Sequence, residues 1–221
     1  MVHSPAIDRP LTKKEQREAS VEGLLAAALS LFVTRGYRPT SVEQIADTAG
    51  LTKGAVYFYF RNKEALLLAL LDRVESVVVD DMIKGVSAAG PDADAKMVAF
   101  VHGQARLGVE GADHVLMLIL MSLEFAGSDD AIDRRTQGIY RRMYRVVEGV
   151  IKHGRDAGQF RSDVPLAEQA AIVMAGHDGT FLEWYRRKAD FSGEALVRAL
   201  RTATLGGLRP DIYSQEDATS D

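Results

Sequence analysis

The chain is predicted to be all-α, on three observations. Apolar residues recur at three- and four-residue steps through almost every segment, strand-like alternation is almost absent, and Ser, Thr or Asn stands where several of the periodic segments begin. Between Lys13 and Arg35, Val21, Leu24, Leu25, Ala28, Leu31 and Phe32 make one stripe, which Gly36 stops. Thr40 and Ser41 each satisfy a capping box, as TSVE and SVEQ, so either can open the second helix, which ends near Thr48. Thr52 caps a third helix, of under about ten residues, through Tyr59. Asn62 caps a fourth, with Leu66, Leu70, Val74, Val77 and Val78 on one face, ending around Gly85. The GPDAD stretch at 90–94 reads as a loop. Helices then follow at 93–108, 112–126, 129–157, from Pro165 to about Lys188, and from Ser192 to about Leu205, nine in all.

These elements group into a compact head at 13–62 and a larger body at 63–207, with flexible tails expected at 1–12 and 208–221. A chain of 221 residues with 47% hydrophobic composition buries a sizeable core. Without cysteine it forms neither disulfides nor thiolate metal sites, which fits a reducing cytoplasm. The opening MVHSPAIDRPLTKKEQ is too polar for a signal peptide, and the longest apolar run, VLMLILMSL at 115–123, is too short to cross a membrane. The formal net charge of -4 argues against nucleic acid as a partner, but the distribution is uneven. Through Glu64 there are nine Lys and Arg against seven Asp and Glu, and beyond it 18 against 24. A mildly basic head on an acidic body is an asymmetry that DNA-binding chains show.

Residues 51–67, LTKGAVYFYFRNKEALL, carry four successive aromatics between basic residues. Two short helices joined by Ala49-Gly50-Leu51, after a longer one, make a helix-turn-helix pattern, whose second short helix enters the major groove with its N-terminal residues at the bases. Thr52, Lys53, Gly54 and Ala55 suit that task, since Gly54 costs the helix about 1 kcal/mol relative to Ala but leaves room for a close approach. Val56 and Phe60 share one face and are core. Tyr57 turns its hydroxyl outward to a phosphate, as Thr52, Lys53 and Lys63 can reach one. Tyr59 can touch backbone sugar and phosphate. Phe58 either packs on the head or meets a thymine methyl, and the packed reading is preferred.

The stretch AALSLFVTRGYRPTSVEQIADTAGLTKGAVYFYFRNKEALLLAL resembles the TetR family of bacterial transcriptional regulators from about Ala19 to Ala69. The shared features are the Gly-Tyr after the first helix, the Thr-Ser start, the Ile-Ala, the Ala-Gly turn, the Tyr-x-x-Phe and the Asn-Lys-Glu-x-Leu opening of helix four. The resemblance implies an all-α homodimer, helices eight and nine packing with the partner subunit, and an inducer pocket in the body. By matching position it implies DNA contacts from Thr40 or Ser41, Thr52, Lys53, Gly54, Tyr57, Tyr59 and Lys63. Many members have His at the position of Tyr59. With Gly54 and Ala55 so small, base readout rests chiefly on Lys53 and Thr52.

For the dimer, Ala170, Val173, Met174, Leu196, Ala199, Leu200 and Ala203 are the candidate interface residues, the monomer core being the competing use. For a ligand site, the candidates are His102, Gln104, His114, Met117, Met121, Glu124, Phe125, Tyr140, Met143, Tyr144, His177, Phe181 and Trp184. Met and aromatic rings with a few polar anchors suit a small hydrophobic inducer. Arg134, Arg135, Arg141, Arg142 and Arg145 on helix seven read as a solvated face. Catalytic signatures are missing: there is no GxxxxGK, no GxGxxG opening a helix, no HExxH and no Glu-x-x-His pair, so neither catalytic residues, a metal nor a cofactor is expected. An all-α enzyme and a protein-binding helical adaptor are the alternatives, and the adaptor leaves Lys53, Tyr57 and Lys63 unexplained. The expected function is a ligand-responsive repressor that binds a pseudo-palindromic double-stranded DNA operator as a dimer.

Overall fold

Thr12 opens helix α1 (Lys13–Arg35) with a reciprocal cap: its hydroxyl accepts from the Glu15 amide at 3.2 Å while the Glu15 carboxylate accepts from the Thr12 amide at 2.7 Å. The computed structural model describes residues 12–187, 190 and 192–210, apart from the side chains of 104, 105, 109 and 110. Both expected tails, apart from Thr12 and 208–210, the Gln104 side chain and Lys188 lie outside the described residues.

The chain divides into two units, one up to Leu70 and one from Leu71. In the first, α1 buries Leu24, Leu25, Ala28, Leu31 and Phe32, the stripe read from the sequence. Helix α2 (Val42–Thr48) is opened by Ser41 and not by Thr40: the Ser41 hydroxyl accepts from the Gln44 amide at 3.2 Å and the Gln44 side chain returns to the Ser41 amide at 2.8 Å. Gly50, at φ 69°, turns the chain toward α3 (Lys53–Tyr59), and the Leu51 amide closes on Ala46 O at 2.9 Å. Helix α4 starts at Lys63 under an Asn62 cap, whose side-chain oxygen accepts from the Ala65 amide at 2.7 Å. Its Leu66, Leu67 and Leu70 are fully buried.

In the second unit α4, regular over Lys63–Glu75, passes through a π turn at Ser76–Asp80 and resumes as Asp81–Ala88. It therefore extends past Gly85, because the wider turn absorbs an extra residue without ending the helix. Helices α5 (Ala93–Glu110), α6 (Ala112–Glu124), α7 (Ala131–Asp156), α8 (Leu166–Arg187) and α9 (Gly193–Leu208) complete nine helices among the described residues. Their core is built from Met97 and Phe100 on α5, Met117 and Met121 on α6, Ile139, Met143 and Ile151 on α7, and Met174 and Phe181 on α8.

Helix α7 is not simply a solvated arginine face. Glu75, largely buried, receives Arg135 and Arg142 together, the Arg142 Nη1 at 2.6 Å. Arg135 also donates to Asp72 at 2.8 Å and Arg142 to Asp80 at 2.9 Å, so the two guanidiniums grip α4 from the turn before its π segment to the last residue of that segment. Burial pushes the Glu75 carboxyl up, but the bonds from Arg135 and then Arg142 outweigh it and hold the group below the ordinary glutamate value of 4.5. At the far end of α7, Gly154 lies under the ring of Phe160, where an added Cβ would come within 2.2 Å of the ring.

Because the folded pKa of Glu75 is depressed, its stabilisation is present above the unfolded value and is lost as pH falls through the folded one. Glu75→Gln is expected to cost about 1–2 kcal/mol in urea unfolding at neutral pH, with the gap to wild type closing below about pH 4.5. A gap unchanged in acid would remove the carboxylate as its source. Gly154→Ala is expected to lower stability by about 1–3 kcal/mol despite the better helix propensity of Ala. Gly149→Ala on the same helix, exposed and with nothing within 4 Å of its added Cβ, should be neutral or stabilising in the same thermal melts.

Candidate nucleic-acid interface

Two buried side chains orient α3. Val56 and Phe60 are 2% and 9% exposed, and the Thr52 hydroxyl accepts from the Ala55 amide at 3.2 Å to cap the first turn. The cap uses an oxygen lone pair and leaves the hydroxyl hydrogen to donate. The opposite side is open: Lys53 and Gly54 are exposed, Tyr57 is 47% exposed and Phe58 77%. Ala55 and Tyr59 are half-buried, the Tyr59 ring standing edge-on to Phe58 at 5.0 Å. A Cβ on Gly54 would touch only the Thr52 hydroxyl, at 3.8 Å, so nothing inside the head demands a glycine there.

The preferred packed reading of Phe58 is corrected by this geometry. At 3.6 residues per turn it lies about 160° round the helix from both Val56 and Phe60, so it is the outermost side chain of α3. That signal was available in the spacing. A second participant, Glu43 in the first turn of α2, was not anticipated: it pairs with the Lys53 ammonium, which also stands 5.9 Å from the Tyr57 ring centroid. The Lys53 hydrogen bond holds the Glu43 carboxyl below its ordinary value, and Glu43 in turn pushes the lysine up.

Two expected contacts are turned inward. The Lys63 ammonium donates to the carbonyls of Tyr37 at 2.9 Å, Arg38 at 3.3 Å and Thr40 at 2.9 Å, and lies 4.2 Å from the Tyr37 ring centroid. Those acceptors take all three ammonium hydrogens, so Lys63 ties α4 to the loop before α2 instead of offering a phosphate contact. Thr40 is 1% exposed and donates to Gly36 O at 2.7 Å, which leaves half-buried Ser41 as the member of that pair nearer the surface.

In the body, Met117, Met121, Phe125, Met143, His177 and Phe181 are buried, and His114, Glu124, Tyr140, Tyr144 and Trp184 are partly buried. His102 is on the surface, lining an open cleft of about 290 Å³ with Asp81, Met82, Gly85 and Arg106, and not the interior. Burial, aided by Arg73, pushes the His114 imidazole down. Asp178, overlooked in the sequence, joins two candidates: it accepts from the Tyr140 hydroxyl at 3.1 Å and sits 3.0 Å from His177 Nδ1. Burial and then the Asp178 charge push the Tyr140 phenol up. The His177 ring also faces Phe100 at 5.2 Å, and Phe181 lies 6.0 Å from Trp184.

The dimer candidates divide by face. Ala170, Val173 and Met174 are buried within the chain itself, so they serve the monomer core and not a partner. Ala199 and Ala203 are exposed, Leu196 and Leu200 half-exposed, and the exposed residues of α8 include Ala167, Glu168, Ala171, Ile172 and Ala175. Among the described residues no group of three His, Cys, Asp or Glu could hold a metal ion, and no helix is long and apolar enough to cross a membrane.

Comparison with known proteins agrees with a DNA-facing head. Residues 24–70 match the family model of bacterial regulatory proteins, tetR family, and residues 108–208 that of the BetI-type transcriptional repressor C-terminal region. The transcriptional regulator AcrR of Shigella flexneri is 26% identical over 174 residues, 78% of this chain and 80% of AcrR. The fatty acid metabolism regulator protein of Bacillus subtilis is 22% identical over 196 residues, covering 88% and 98%. The crystal structure of the MbdR regulator from Azoarcus sp. CIB is 49% identical, with a TM-score of 0.78 over 86% of this chain and 100% of that one. An outward-facing short helix on a helix-turn-helix head, an all-α body and these matches together show that the chain belongs to the TetR family of bacterial regulatory proteins.

Proposed function

We propose that this ligand-responsive DNA-binding regulator is a cytoplasmic repressor, without enzymatic activity, that occupies a pseudo-palindromic operator as a homodimer and leaves it on binding a small hydrophobic molecule. The observation that carries this reading is the outward face of α3, where Lys53, Gly54, Tyr57 and Phe58 stand clear of the fold that Val56 and Phe60 anchor. Lys53 supplies charge and a donor to a base or phosphate, Tyr57 a phenol to a phosphate, and Phe58 an apolar ring to a thymine methyl. Tyr59, Thr52 and Ser41 serve as secondary backbone contacts.

The second copy covers the face of α8 and α9 on which Ile172, 74% exposed, stands among alanines. Two-fold symmetry then sets the recognition helices roughly 34 to 36 Å apart, one turn of duplex. Buried Met117, Met121, Met143, Phe125 and Phe181 support an apolar effector, with Tyr140, Asp178 and His177 as its polar anchor. The effector works by shifting α4, a two-state coupling of about 1–3 kcal/mol.

Gel shift across the protein's own upstream region is expected to show retardation by wild type at low salt. Lys53→Ala should weaken binding to the upstream duplex about tenfold, and Tyr57→Phe should cost about three- to tenfold. Phe58→Ala should lose affinity for a thymine-containing operator but little for the same duplex carrying uracil in place of the contacted thymine. Normal binding by all three variants would remove α3 as the reading surface. Ile172→Glu should convert dimer to monomer in light scattering and weaken operator binding; a variant that stays dimeric would place the interface elsewhere.

A further inference from the structure

We propose that Glu43 is a specificity-determining residue of the DNA interface: its carboxylate positions the Lys53 ammonium and suppresses binding to DNA that lacks the operator sequence. The proposal rests on the reading of α3 as the recognition helix. Glu43 lies in the first turn of α2, just after the Ser41 cap, and Lys53 is the first residue of α3. The helix-turn-helix bend brings these helix starts together, and the two side chains meet in an ion pair.

The pair sits on the face that must meet the duplex, not in the core. Its members are 53% and 51% exposed, and a pair so open adds little to folding. Its consequence falls on DNA binding. The Lys53 ammonium is held by Glu43 and stands 5.9 Å from the Tyr57 ring centroid, so its flexible stem has a defined direction.

Affinity for arbitrary DNA is almost wholly electrostatic, rising with each phosphate that a lysine neutralises. An ammonium already paired with a carboxylate neutralises no phosphate, and the carboxylate itself is repelled by the polyanion. Arbitrary DNA therefore gains nothing from Lys53 unless the pair is broken. A G·C base pair is different. Lysine donates to guanine O6 and N7, and a glutamate carboxylate accepts from cytosine N4. The Lys53–Glu43 pair presents both a donor and an acceptor, so it can engage that edge while both partners stay close to their free positions. Glu43 thus removes affinity where only phosphates are offered and leaves it where a G·C edge lies beneath the start of α3.

The test compares wild type, Glu43→Gln, Lys53→Met and the double variant by fluorescence anisotropy between about 50 and 200 mM salt. The probes are the upstream duplex retarded in the gel shift and a shuffled duplex of equal length and composition. Glu43→Gln is expected to bind the shuffled duplex about tenfold tighter near 0.1 M salt, with a salt slope steeper by about one, and to lower the upstream-to-shuffled ratio. In the Lys53→Met background the same change should alter shuffled binding about threefold or less, because the lysine it would free is gone. Unchanged shuffled affinity and slope in Glu43→Gln overturn the proposal, as does an equal gain with and without Lys53. The shuffled arm reads Glu43 even if the upstream duplex is not the operator, and a wild type that does not prefer the upstream duplex counts against that operator alone. Matching thermal midpoints for wild type and Glu43→Gln keep a folding defect from imitating the result.

Discussion

Everything on the outward face of α3 follows from the burial of Val56 and Phe60. A helix as short as α3 cannot hold itself together in water, because the cost of nucleating a helix is not recovered in two turns. Its existence and its rotation about its own axis come from tertiary contact, with Val56 packed on one side, Phe60 ending the helix and Thr52 satisfying an amide at the start. Once those three are fixed, the outward positions of Lys53, Gly54, Tyr57 and Phe58 are no longer a choice.

The charges around that helix do different jobs despite their similar appearance. Lys63 is spent inside the head on three backbone carbonyls, where an ammonium with three hydrogens answers acceptors that a loop would otherwise leave unsatisfied. Lys53 is outside and restrained by Glu43. The difference is one of local acceptor density, not of residue type. It also explains how a chain of formal charge -4 can carry a DNA-binding surface: what matters is which cations face the groove.

Helix boundaries were legible because their causes are local. Ser41, Thr52 and Asn62 cap their helices through hydrogen bonds to amides three residues ahead, and the apolar stripe of α1 repeats within a single element. Phe58 was legible too, since its angle from Val56 and Phe60 is set by helix geometry; the aromatic composition pulled the reading toward the core. Lys63 was not legible, because its acceptors are on a segment about 25 residues earlier whose carbonyl directions exist only in the folded loop. The same holds for Glu43, Arg135, Arg142 and Asp178, whose partners are on other helices or depend on how helices meet. The dimer candidates divide between core and surface for a different reason. Helices α8 and α9 have small and apolar residues on more than one face, so composition marks the helices but not which side is outward.

Helix α4 combines two features that matter for any response to a ligand. The first is its start, where Asn62 and Lys63 bind it to the Tyr37–Thr40 loop of the head. The second lies beyond Leu71, where Arg135 and Arg142 clamp Asp72, Glu75 and Asp80 around a π turn. A π turn is a place where a helix can change its hydrogen-bond register without unfolding. Half-buried ion pairs of this kind hold geometry more firmly than they add stability, since desolvation offsets much of their attraction. A clamp worth a few kcal/mol is comparable with the coupling energy that a ligand must supply to redistribute two conformations. A clamp of that strength defines one register of α4 without making it the only one the helix can take.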